Sequence, residues 1–273
     1  MEARVLLFKS GVPCPGAVSQ VRPVLLFVAL FLIASTALAQ SSDANPFFAR
    51  KNTFSVFGAY SNDSSHILLG YAENRKLLDF GAGYSRRLFV NHVVDWQYSG
   101  EILPVALESD VLGQQVDHQT QPTVGTSPPE PVGQVISCAV ATTPYSFTIP
   151  NPNGSGTTTY SGTLVQTCSG REWNIGEAIS PIGLQWNFLP RLKMQPFFIG
   201  HGGYMYTTKA IPILFAGSFN FTFDVGAGIE LYRSKTRSIR AEYRYHHISN
   251  HGTAEENPGI DNGLFQVTYS FGR

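Results

Sequence analysis

The chain has 273 residues, with 19 Lys+Arg against 19 Asp+Glu, and only 14% of it is charged, where a soluble domain carries about a quarter. Zero net charge offers no basic surface for nucleic acid, and 43% hydrophobic with 12% aromatic residues is too much for a disordered chain. A mean hydropathy of −0.03 argues against a bundle of membrane helices; few charges, many aromatics and 26 glycines leave a membrane β-barrel.

The first element is an address. Arg4, Lys9 and Arg22 precede an apolar run from Val24 to Ala34, and Ala37-Leu38-Ala39 follows. A positive start, a short apolar stretch and small residues at the cleavage positions describe a secretory signal over 1–39, cut before Gln40. The run falls short of the roughly 20 residues that an anchoring helix needs. Its removal takes away Glu2, Arg4, Lys9 and Arg22, so 19 basic and 19 acidic residues become 16 and 18, a net of −2.

From Thr53 the chain breaks into segments that alternate apolar and polar side chains with period two. Strands are expected at 53–61, 77–88, 93–106, 177–187, 194–207, 220–232, 237–250 and 262–271. In the second, Leu78, Phe80, Ala82 and Tyr84 alternate with Asp79, Gly81, Gly83 and Ser85. In the sixth, Phe221, Phe223, Val225, Ile229 and Leu231 alternate with Thr222, Asp224, Gly226, Gly228 and Glu230. A soluble sandwich would turn its polar face to water and carry many Lys; here that face holds Asp, Glu, Gln and Arg, which can pair inside a narrow lumen.

Connections alternate in length, as a barrel with short periplasmic turns and long outer loops requires. The expected fold is therefore all-β, an eight-stranded antiparallel transmembrane β-barrel over 40–273. Its longest outer loop, 107–176, is rich in Gly, Thr, Ser and Pro and holds Cys138 and Cys168. In an oxidising compartment these two are expected to form a disulfide, contributing about 3–4 kcal/mol by restricting the unfolded loop. Eight strands leave an interior filled by side chains, which argues against a porin.

Strand seven ends Ile239-Arg240-Ala241-Glu242-Tyr243-Arg244-Tyr245-His246-His247-Ile248-Ser249-Asn250. Its even positions suit the lumen, so His247 and Ser249 continue the lipid face at the outer end. Extending the outward parity of Phe265, Val267 and Tyr269 backwards places Asp261 on that face too. Polar groups turned toward lipid are costly and need a reason. One reason is nucleophilic catalysis, with Ser249 attacking, His247 taking its proton, Asp261 holding the imidazole, and Asn250 and Gly252 donating to an oxyanion. The other is a polar belt at headgroup depth, and spacing alone leaves both open. No regular cluster of His, Cys, Asp or Glu indicates a metal, and no phosphate loop indicates a cofactor.

His247-Ile248-Ser249-Asn250-His251-Gly252, followed by Asn257-Pro258-Gly259-Ile260-Asp261, resembles the lipid A 3-O-deacylase family of outer-membrane barrel esterases, whose relatives are also described as acyloxyacyl hydrolases. The resemblance implies Ser249 as nucleophile, His247 as base, Asp261 in the carboxylate place, and Asn250 and Gly252 as oxyanion donors. It further implies hydrolysis of an ester-linked fatty-acyl chain of lipid A, within lipopolysaccharide, in the outer leaflet of the cell outer membrane. Asp261 is one methylene shorter than the Glu usual in that place, and the loop 107–176 is foreign to the compact family pattern. Two rival readings are a non-catalytic surface barrel that binds a partner through its long loop, and an outer-membrane phospholipase. Whether two barrels pair as a homodimer is left open.

Overall fold

A computed structural model describes residues 48–122, 125–137 and 141–273. The signal segment expected over 1–39, and Cys138 of the expected disulfide, lie outside them. Eleven strands form among the described residues: β1 Asn52–Ser61, β2 Lys76–Val90, β3 Val94–Gln121, β4 Gly125–Thr126, β5 Glu130–Gln134, β6 Ala141–Pro150, β7 Thr157–Phe188, β8 Met194–Thr207, β9 Phe219–Ser234, β10 Arg237–Ser249 and β11 Ile260–Gly272. Eight of them hydrogen-bond in the order β3-β2-β1-β11-β10-β9-β8-β7, and a β3–β7 pairing closes the ring. Every neighbouring pair is antiparallel. Closure leaves the barrel strands without free edges, the requirement for a sheet that crosses lipid.

The alternation read from the sequence sorts the two faces. Along β9, Phe219, Phe221, Phe223 and Val225 are exposed while Asn220, Thr222 and Asp224 are buried. Short turns gather at one end, where β1 also meets the end of β11 through Thr53 and Gly272. The β2–β3 turn is shaped by Asn91, whose Oδ1 accepts the Val93 and Val94 amides at 2.7 and 2.8 Å.

The scarce charges pair inside. Arg244 donates to Glu101 through both terminal nitrogens, at 2.9 and 2.8 Å, to Glu242 at 3.0 Å and to Asp224 at 3.3 Å. Mutual pairing of these buried charges offsets the cost of taking them out of water. Toward the outer end the interior turns apolar. Leu77, Ala106, Met205, Ile248 and Leu264 pack with Ala72 and Ile211, two loop residues that cap the barrel.

The outer segment differs from the expected single loop over 107–176. Instead β3 runs on to Gln121 and β7 begins at Thr157, and the two stay paired from Val94–Phe188 to Gln121–Ser161. β6 adds to the far side of β7, and β4 and β5 add to β3. Residues such as Val111, Val116, Thr163 and Val165 continue the β-prone alternation past the barrel rim, so the excursion is a hydrogen-bonded arm. At its base the fully buried Arg75 donates to Asp110 at 3.1 Å and to the carbonyls of Ile136 at 3.2 Å and Pro212 at 2.9 Å. One guanidinium thereby ties loop 62–75 to β3, to the segment after β5 and to the loop between β8 and β9.

Candidate active site

The register of the last hairpin places His247 directly opposite Asp261. Cross-strand partners share a face, so the parity argument and the pairing give the same result. His247 Nδ1 lies 2.6 Å from Asp261 Oδ1, a short contact typical of a charge-assisted hydrogen bond. A carboxylate only accepts, so Nδ1 carries the proton in this contact, and it is the tautomer with Nε2 free to accept that a general base needs. Phe223, the β9 neighbour of His247, packs its ring 5.5 Å from the imidazole.

Asp261 is held on both oxygens. Oδ1 also accepts the Tyr245 hydroxyl at 2.8 Å, and Oδ2 accepts the backbone amides of Leu68 and Leu69 at 2.7 and 2.8 Å. The side chain expected at a lipid-facing edge is therefore wholly buried. Loop 62–75 covers it, docked through bridges from Ser64 to Asn262 and from Ala72 to Ile260. That approach depends on Gly70, where an added Cβ would sit 2.7 Å from the Asp261 amide nitrogen. Gly259 has φ 61°, in the region that favours glycine, and a Cβ there would lie 3.2 Å from the His247 ring.

Ser249 follows His247 by two residues on the same outward face and is half-buried. Its hydroxyl donates to Asn257 Oδ1 at 3.0 Å and accepts the His251 amide at 3.1 Å. Asn250 and Gly252 shape this turn. The Asn250 amide donates to the carbonyls of Ala216 at 2.5 Å and Glu256 at 2.6 Å, and the Gly252 N–H donates back to Asn250 Oδ1 at 2.8 Å. Their polar groups are thus engaged with the turn and with the loop between β8 and β9, while Asn257 is the amide side chain in contact with Ser249.

Four participants escaped the sequence reading. Tyr245 was placed on the lipid face, and its spacing of two from His247 was the signal that could have found it. Asn257 stood in the quoted motif without a role. The Leu68 and Leu69 amides carry no signal at all, because backbone donors from a loop 193 residues away look like any others.

With this geometry in place, the chain can be compared with known proteins. The sequence profile of the lipid A 3-O-deacylase (PagL) family matches residues 141–270. The match spans 130 of the 273 residues. It runs from β6 to β11 and includes His247, Ser249, Asn257 and Asp261. No curated protein sequence matches the chain. Among solved structures, the outer membrane enzyme PagL is similar at a TM-score of 0.42 and 10% identity, covering 81% of this chain and 99% of that one. Neisserial surface protein A is similar at 0.36 and 10%, covering 82% and 97%. Likeness at that level carries no argument about chemistry.

Proposed function

We propose that this barrel is a lipid A deacylase that hydrolyses an ester-linked fatty-acyl chain in the outer leaflet, with Ser249 as nucleophile. The observation that carries the reading is the 2.6 Å His247–Asp261 bond on the face that Ser249 shares, inside the stretch that matches the family.

In the proposed reaction the Ser249 hydroxyl turns from Asn257 Oδ1 toward His247 Nε2 and passes its proton there as Oγ attacks the ester carbonyl carbon. Asp261 stabilises the imidazolium that results. The tetrahedral oxyanion takes hydrogen bonds from the turn that carries Ser249. Asn257 Oδ1 accepts from the Ser249 hydroxyl and from the Asn250 N–H, so it orients the nucleophile, and Asn250 and Gly252 hold the turn in shape. Collapse breaks the ester C–O bond, and the sugar alkoxide leaves with the proton from His247. A water activated by the same imidazole then attacks the acyl-enzyme, releasing the fatty acid and restoring Ser249. The substrate already lies in the membrane beside the half-buried Ser249, so a polar pocket is not needed to gather its acyl chains.

The test is mass spectrometry of lipid A after incubating lipopolysaccharide with purified protein in detergent. The wild type is expected to remove one acyl chain and Ser249→Ala none, with both retaining the heat-modifiable gel mobility of a folded barrel. Unchanged acylation with the wild type, or equal cleavage by both, would overturn the proposal.

A further inference from the structure

The arm above the barrel carries a surface that ester hydrolysis does not use. Between Val111 and Gly170 the only Asp, Glu, Lys or Arg residues are Asp117 and Glu130. Pairing register assigns one face of this sheet. On it Gln115 stands opposite Gln166, Gln119 opposite Gly162, Tyr145 opposite the same Gly162, and Phe147 opposite Tyr160. The aromatic rings form a ladder: Tyr145 and Phe147 are 6.0 Å apart at 26°, and Phe147 and Tyr160 are 5.4 Å apart at 11°. Tyr145 is pinned by its hydroxyl, which donates to Asp117 at 2.9 Å, and Phe147 is 53% exposed. Flat rings held rigid and left open to solvent mark an interaction surface.

Lower on the same face, Gln115 and Gln166 help line a cavity of about 970 Å³. Its opposite wall is the loop between β8 and β9, through Ala210, Ile213 and Phe215. That loop also supports the catalytic turn: the Ala216 carbonyl accepts the Asn250 amide, and the Phe215 carbonyl accepts the Glu256 N–H at 3.0 Å. Cavity and proposed active site thus share a wall.

We propose that this face, from the cavity to the aromatic ladder, binds the uncharged oligosaccharide portion of the glycolipid substrate. The proposal rests on the lipid A reading and adds to it the recognition of sugars. A sugar ring offers an apolar C–H face, which lies flat on aromatic rings, and a rim of hydroxyls, which pair with amides that both donate and accept. The face supplies these two complements together; its charged groups include Asp117, which accepts the Tyr145 hydroxyl, and the Glu172–Lys209 ion pair at the cavity, so a neutral ligand suits it better than an anionic one. Position agrees, because β3 and β7 are barrel strands that continue outward past the rim, on the side where the sugars of an outer-leaflet lipid extend.

The experiment is calorimetric titration of detergent-solubilised protein with a neutral, lipid-free oligosaccharide prepared from lipopolysaccharide, its acidic sugars and phosphates removed. The wild type and Ser249→Ala are expected to bind alike, while Phe147→Ala/Tyr160→Ala and Gln115→Ala/Gln166→Ala each bind about tenfold or more weakly, equivalent to roughly 1.4 kcal/mol. Heat-modifiable mobility confirms that each variant is folded. Absence of binding by the wild type, or binding by either double variant as tight as that of the wild type, overturns the proposal. Ester cleavage by the wild type is scored separately, so loss of the sugar site and loss of the esterase reading are told apart.

Discussion

Replacing Asp261 by Asn keeps the size of the side chain and removes its charge, and the hydrogen bonds around it dictate the outcome. Both oxygens are filled by donors: Tyr245 and His247 on Oδ1, Leu68 N and Leu69 N on Oδ2. An Asn amide must turn its NH₂ toward one of these pairs. Facing Leu68 and Leu69 it would meet two backbone N–H groups that cannot become acceptors, at the cost of a buried unsatisfied set, about 1–3 kcal/mol per group. Facing Tyr245 and His247 it meets a hydroxyl that can rotate and an imidazole that can change tautomer. The second arrangement costs less, so Nδ1 becomes the acceptor, Nε2 takes the proton, and the base is lost. We expect Asp261→Asn to lower kcat by about 10³–10⁴-fold, roughly 4–5.5 kcal/mol, the range seen when the equivalent charge is neutralised in a Ser-His-Asp triad. The assay is release of free fatty acid from lipopolysaccharide, with barrel folding checked by gel mobility. A folded Asp261→Asn barrel within about tenfold of wild type would refute the assignment of His247 as a base oriented by Asp261.

Other consequences follow from the same contacts. Asp261→Glu keeps the charge but should reduce activity by about tenfold or more, because the added methylene must displace either His247 or the amides of Leu68 and Leu69; activity equal to wild type would show that loop 62–75 yields freely. Gly70→Ala should lift that loop from β11, since its Cβ would lie 2.7 Å from the Asp261 nitrogen; limited proteolysis within 62–75 should accelerate while the barrel stays folded. Arg75→Ala leaves Glu108 and Asp110 buried beside uncompensated carbonyls, a loss of about 3–5 kcal/mol in the outer assembly, read as faster cleavage of the outer loops with unchanged gel mobility. The proposed Cys138–Cys168 disulfide predicts a mobility difference between reduced and non-reduced protein that Cys168→Ser abolishes.

The barrel was legible because its determinants are local. Period-two alternation needs only neighbouring residues, and the lipid and the lumen demand opposite side chains, so Phe221, Phe223 and Val225 went to one face and Thr222 and Asp224 to the other. The same parity put His247, Ser249 and Asp261 on a common face before any pairing was known. The arm was missed because its strands, rich in Gly, Thr and Pro, combine loop composition with a weaker alternation; their pairing rests on β3 and β7 already being neighbours in the barrel.

By itself, then, the sequence determined the eight barrel strands, their face assignment, the side of the short turns and the common face of His247, Ser249 and Asp261, all of which follow from side-chain identity at regular spacing. Tertiary structure alone decided how that constellation is held. It buried Asp261 under two peptide N–H groups from loop 62–75, gave Ser249 its contact with Asn257, and set an apolar cap above the charged lumen. These features are made by backbone amides and by loops meeting across the barrel. A peptide N–H has no sequence signature, and which loop reaches which strand end is settled only when the sheet closes.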